Sequence, residues 1–90
     1  MNRDIELLDR IKAKYGLATN RDLGAALGLS HSFVGKVYNG HYSLAPLTVI
    51  KALGKLGWPA ATKVLVVLRP SGLDAALNEI DNQTAKQNQH

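Results

Sequence analysis

An all-α fold of five or six helices is what this sequence of 90 residues predicts. Two observations carry that expectation. Apolar residues recur at i, i+3 or i+4 in one stretch after another. Between those stretches stand stops at Gly16, Gly28, Gly40 and Gly57, and capping residues at Thr19, Ser30 and Ser71. Residues 60–68 are the exception, because their β-branched density also fits a strand.

The first helix is expected over residues 4–15. Ile5, Leu8, Ile11 and Tyr15 share a face, and Glu6 and Arg10 form an i, i+4 pair. Gly16 stops it, and Lys12 and Lys14 are expected in solvent, with approach to a backbone phosphate as the alternative. Thr19 caps a second helix, with Asp22 placed to complete a capping box. Leu23, Ala26 and Leu27 form its apolar face, and Gly28 ends it in the left-handed conformation. Leu29 is an apolar plug after the turn. Ser30 caps the third helix, whose stripe is Phe33, Val34 and Val37, and Asn39-Gly40 ends it.

Pro46, with its φ preset, opens a fourth helix. Val49, Ile50, Leu53 and Leu56 face inward, Lys51 and Lys55 lie on the other side, and Gly57 is the stop. The start of this helix offers backbone amides as a second phosphate site. In the segment 60–68, Pro59 at the start and apolar residues at positions 60, 61, 64, 65 and 68 favour a helix over a strand. Arg69-Pro70 breaks it. Ser71 and Asp74 then cap a last helix with Leu73, Leu77 and Ile80 on one face, and the polar residues 81–90 are expected as a disordered tail.

Length and composition describe one small globular domain, with 46% hydrophobic and 20% charged residues. No cysteine is present, which removes disulfides and thiolate metal sites and fits a reducing cytoplasm. The start, MetAsnArgAspIleGlu, is charged and quickly amphipathic, unlike a signal peptide. The longest strongly apolar run, Val64 to Leu68, is too short to span a bilayer, so no membrane partner is expected. Net charge is +4, and its placement is informative. No Asp or Glu lies between Leu23 and Leu73, a stretch holding Lys36, Lys51, Lys55, Lys63 and Arg69. A surface that meets duplex phosphates should lack carboxylates.

The capped pair from Thr19 to Gly40 resembles the helix-turn-helix of the phage Cro/repressor family. Leu23, Leu27, Gly28, Leu29, Val34 and Val37 carry the match. Gly24 departs from the family's Ala at the close contact of the two helices, a change that costs about 1 kcal/mol of helix propensity. The resemblance runs from the first helix to the end of the fourth near Gly57 and does not reach the last third of the chain. It implies a lambda-repressor-like domain, although in Cro itself the region matching 60–68 is a strand. A helical hairpin in a small all-α domain accounts for the apolar positions equally well. It does not account for Ser30, His31, Ser32, Gly35 and Lys36, which make the outer face of the third helix small, polar or basic with no acid.

The resemblance implies double-stranded DNA as partner, with the third helix in the major groove. Carried over by position, His31, Ser32 and Lys36 read bases, with Ser30 and Gly35 close to the groove. Lys36 can donate to guanine O6 and N7. Asn20 matches a phosphate-contacting position of the family, and Arg21 is its basic neighbour. The loop Asn39, Gly40, His41, Tyr42 and Ser43 is rich in groups that bond phosphate, which fixes register without reading sequence. Tyr38 is expected to pack beneath it.

Residues 1–80 are thus read as a helix-turn-helix domain whose segment 58–80 dimerises it. Trp58, Val64, Val66, Val67, Leu68, Leu73 and Leu77, with Ile80, exceed what the core of one 90-residue domain requires. The expected function is a sequence-specific transcriptional regulator, a repressor, that binds a pseudo-palindromic operator as a homodimer. Its setting is the cytoplasm of a bacterial or phage-infected cell, associated with the nucleoid. The alternative is a protein-interaction module such as an autoregulating antitoxin, whose last third binds a protein partner. No catalytic constellation is readable. His31, His41 and His90 are not paired at ligand spacing, so neither a metal nor a cofactor is expected, and an enzyme is not.

Overall fold

Thr19 and Ser30 both act as helix caps. The Thr19 hydroxyl accepts from the Asp22 amide at 3.0 Å, and the Ser30 hydroxyl from the Phe33 amide at 3.1 Å. Each cap has extended backbone, which turns its oxygen back onto the first helical turn. A computed structural model describes residues 3–68 and 72–87 of the chain. Over those residues the protein is all-α, with helices α1 (Arg3–Tyr15), α2 (Asn20–Leu27), α3 (His31–Tyr38), α4 (Pro46–Lys55), α5 (Ala60–Leu68) and α6 (Gly72–Gln87). None of these helices is long and apolar enough to cross a membrane. The segment 60–68 is therefore a helix. The break at Arg69-Pro70, the cap at Ser71 and residues 88–90 of the tail lie outside the described residues.

One core joins all six helices. Leu8 and Ile11 of α1, Leu23 of α2, Val34 and Val37 of α3 and Leu53 of α4 are its most enclosed side chains. Arg10 pairs with Asp74 at 2.9 Å, across to α6, rather than with Glu6. Lys14 reaches Asp81 on the same helix. Leu7 joins the core, and Tyr15 stays partly in solvent with its hydroxyl accepting from Trp58 Nε1 at 2.8 Å.

The last third differs from expectation in three ways. First, α5 turns Val66, expected on the pairing surface, inward together with Thr62, while Val64 and Leu68 of that surface stay exposed. With all but two residues of this helix apolar, periodicity selects no face, and contacts with α4 and α6 select it instead. Second, Trp58, Val66, Leu73, Leu77 and Ile80 are buried in the domain's own core and are not available as a dimer surface. Residues of α5 and α6 share one buried core with those of α1–α4. Third, α6 continues to Gln87, so residues 81–87 are helical rather than a disordered tail.

Gly24 is also more than a weak substitute for alanine. A Cβ there would lie 2.4 Å from the Leu29 carbonyl oxygen, a backbone atom fixed by its place in the turn. Gly24→Ala gains about 1 kcal/mol of helix propensity but incurs an overpacking cost of about 1–3 kcal/mol. A net loss of stability is expected, read as a lower denaturant midpoint. An unchanged or higher midpoint would show that the turn yields freely.

Candidate nucleic-acid interface

The α2–turn–α3 unit is built on that close approach. The Leu29 amide donates to the Gly24 carbonyl at 2.8 Å, and Gly28 closes α2 in the left-handed region with φ of 72°. Leu29 packs against the core as the expected plug. With Val34 and Val37 fully enclosed, the opposite face of α3 is committed to solvent. His31, Ser32 and Lys36 are exposed there, together with the cap residue Ser30. Gly35 is half-buried and leaves a shallow gap, because a Cβ there would meet only Asn20 Nδ2, at 4.0 Å.

Lys36 is not loose on this face. Its ammonium stands 5.1 Å from the centroid of the Tyr42 ring, and that ring lies 5.7 Å from the ring of Phe33. A cation over an aromatic face is attracted by the ring quadrupole, which narrows the positions the long side chain samples. Phe33 and Tyr42 thereby act on the site through Lys36. Their separation in sequence gives no sign of this.

The loop after α3 divides its duties. The amides of Asn39, Gly40, His41 and Tyr42 donate back to carbonyls of Gly35, Val37 and Lys36. Those backbone groups are already used, which leaves the exposed side chains of Asn39, His41, Tyr42 and Ser43 as the polar groups this loop offers to a ligand. Gly40, expected as a phosphate contact, has neither a side chain nor a free amide, and serves the turn with φ of 81°. The Leu44 amide, just ahead of the Ala45 cap of α4, donates to Asp4 Oδ2 at 2.9 Å, which brings a carboxylate of α1 to the approach to this helix.

Tyr38 packs as expected. It is half-buried, and its hydroxyl donates to Asp9 Oδ1 at 2.7 Å. Burial first, then the bond to Asp9 and that residue's charge, push its ionisation well above the ordinary tyrosine range, so it remains a donor. Asn20 and Arg21 open α2, with Arg21 exposed and Asn20 half-buried. Asn20 Oδ1 accepts from Lys12 at 3.0 Å. Lys12, expected in solvent, is thus part of the site, a contact hidden by the intervening turn at Gly16. The stem of Lys55 crosses the turn that ends α2, its Cε 3.2 Å from where a Cβ on Gly28 would be.

The electrostatic layout follows the sequence. Helices α3, α4 and α5 carry no acid. Asp9 is taken up by Tyr38, and Asp74 and Asp81 by cations of α1. Asp22, in the first turn of α2, is a further exposed acid. No protein-family model, curated protein or solved structure matches the chain.

Proposed function

We propose that the protein is a sequence-specific, double-stranded DNA-binding regulator that inserts α3 into the major groove. The observation that carries this reading is the division of α3: Val34 and Val37 fully enclosed, and an acid-free outer face on which Ser30, His31, Ser32 and Lys36 are exposed. Exposed donors on a short helix, flanked by cations at Arg21 and Lys55, suit base edges at the centre and phosphates at the margin. It acts without enzymatic chemistry, in the cytoplasm of a bacterial or phage-infected cell, by occluding a promoter.

One α3 spans only a few base pairs, so the protein binds as a homodimer on an inverted repeat with recognition helices about 34 Å apart. The pairing surface is what the core leaves free. On α5 that is Val64 and Leu68, the latter 72% exposed.

Binding should fall steeply with salt. A dimer neutralising about six phosphates gives a log–log slope near −5, or roughly a thousandfold loss between 50 and 200 mM. A flat titration against duplex DNA would remove the proposal. Lys36→Ala should cost about 1–3 kcal/mol on the selected operator and relax preference at one position. Equal weakening on operator and random duplex would place Lys36 on phosphate instead.

A further inference from the structure

Lys12 carries charge at the edge of the site but is held in place. Its ammonium donates to Asn20 Oδ1 at 3.0 Å and stands 4.5 Å from the centroid of the Tyr38 ring. That ring is itself fixed by the bond from its hydroxyl to Asp9. Residues from α1, α2 and α3 therefore meet at one amide.

The chemistry of the pair fixes its direction. An ammonium has three donors and no acceptor, so only the oxygen of the Asn20 amide can face it. The NH2 group must then face away from Lys12. Its nitrogen lies beside Gly35, 4.0 Å from where a Cβ would stand, with no acceptor among the described residues. Gly35 lies on α3 one residue before Lys36, so this edge of the domain presents two unused N–H donors next to the outer face of α3. Without Lys12, the amide can rotate and offer its oxygen to a phosphate, which would repel it.

We infer that Lys12 is a positioning residue, which locks the Asn20 amide with its NH2 toward the DNA backbone and does not itself contact phosphate. This inference rests on the DNA-binding reading above. It assigns Lys12 to the site through Asn20 and separates its charge from its role.

The test is a double-mutant cycle on the full chain, using a labelled mixed-sequence duplex of about two helical turns. A phosphate contact acts alike on all sequences, so no operator is needed. Lys12→Met keeps the apolar stem and removes the donor. Asn20→Ala should weaken binding about tenfold. Lys12→Met should weaken wild-type binding severalfold, have no further effect in the Asn20→Ala background, and leave the salt slope unchanged. An equal loss in both backgrounds, or a slope shallower by about 0.9 per monomer, would show that Lys12 contacts phosphate directly and overturn the inference. No effect of Lys12→Met on binding would overturn it as well. If circular dichroism shows that Lys12→Met does not fold, the unmutated protein decides by nuclear magnetic resonance. The Asn20 side-chain NH2 signals should shift on adding the duplex while the Lys12 methylene beside the ammonium does not, and the reverse overturns the inference. Wild-type protein that binds no duplex at all would instead sink the function proposed above.

Discussion

Val66→Asp should abolish cooperative folding near neutral pH. Val66 is 3% exposed and packs in the single core of the domain, on the inward face of α5. Aspartate there loses about 1.5–3 kcal/mol of apolar burial and adds several kcal/mol for an unpaired buried carboxylate. A domain of this size holds on the order of 5–15 kcal/mol in all. The sign with pH is fixed. Burial raises the folded-state pKa of the new carboxyl above its unfolded value of about 3.9, so the penalty is largest at neutral pH and shrinks as pH falls toward that value. Leu68→Asp, two residues on and 72% exposed, should move stability by no more than about 0.5 kcal/mol. Thermal melts followed by circular dichroism separate the two. A folded Val66→Asp domain that merely dissociates would restore Val66 to a dimer interface. Leu68→Asp tests that interface directly, because sedimentation should show weaker self-association in a folded protein.

The second large effect is expected at Gly72, the buried first residue of α6. A Cβ placed there would lie 1.7 Å from the carbonyl oxygen of Leu65 and 2.6 Å from its carbonyl carbon. Both are backbone atoms of α5, so no side-chain rotation relieves the contact. Gly72→Ala must push α6 off α5, the most extensively packed helix pair of the domain. The cost should reach or exceed about 3 kcal/mol, the upper end for overpacking. The urea midpoint should fall correspondingly, and DNA binding should weaken only as far as folded protein is lost. A midpoint within about 0.5 kcal/mol of wild type would mean that the helices are not held this close.

Legibility in the sequence followed the kind of signal involved. Thr19, Gly28 and Ser30 are local signals. A cap depends on groups within three or four residues, and the Thr19 and Ser30 hydroxyls accept the bonds that their residue types call for. The stripes on α2 and α3 were equally readable, because polar residues alternate with apolar ones at a 3.6-residue period and name the buried face. The outer face of α3 followed by subtraction. On α5 almost nothing polar marks the outside, so periodicity names no buried face, and Val66 and its apolar neighbours look surplus to the core.

The sequence by itself determined the all-α class, the helix starts and stops through the fourth helix, and the acid-free surface of α3, α4 and α5, since composition and local capping act over a few residues. Tertiary structure alone decided the rest. It placed Trp58, Val66, Leu73 and Leu77 inside one core, gave the approach to α4 to Asp4, and drew Lys12 to Asn20 and Lys36 to Tyr42. It also made Gly24 a steric requirement where helix propensity alone favours alanine. Each of these depends on which groups meet across helices, and a side chain's periodicity records which way it faces along its own helix but not what stands opposite.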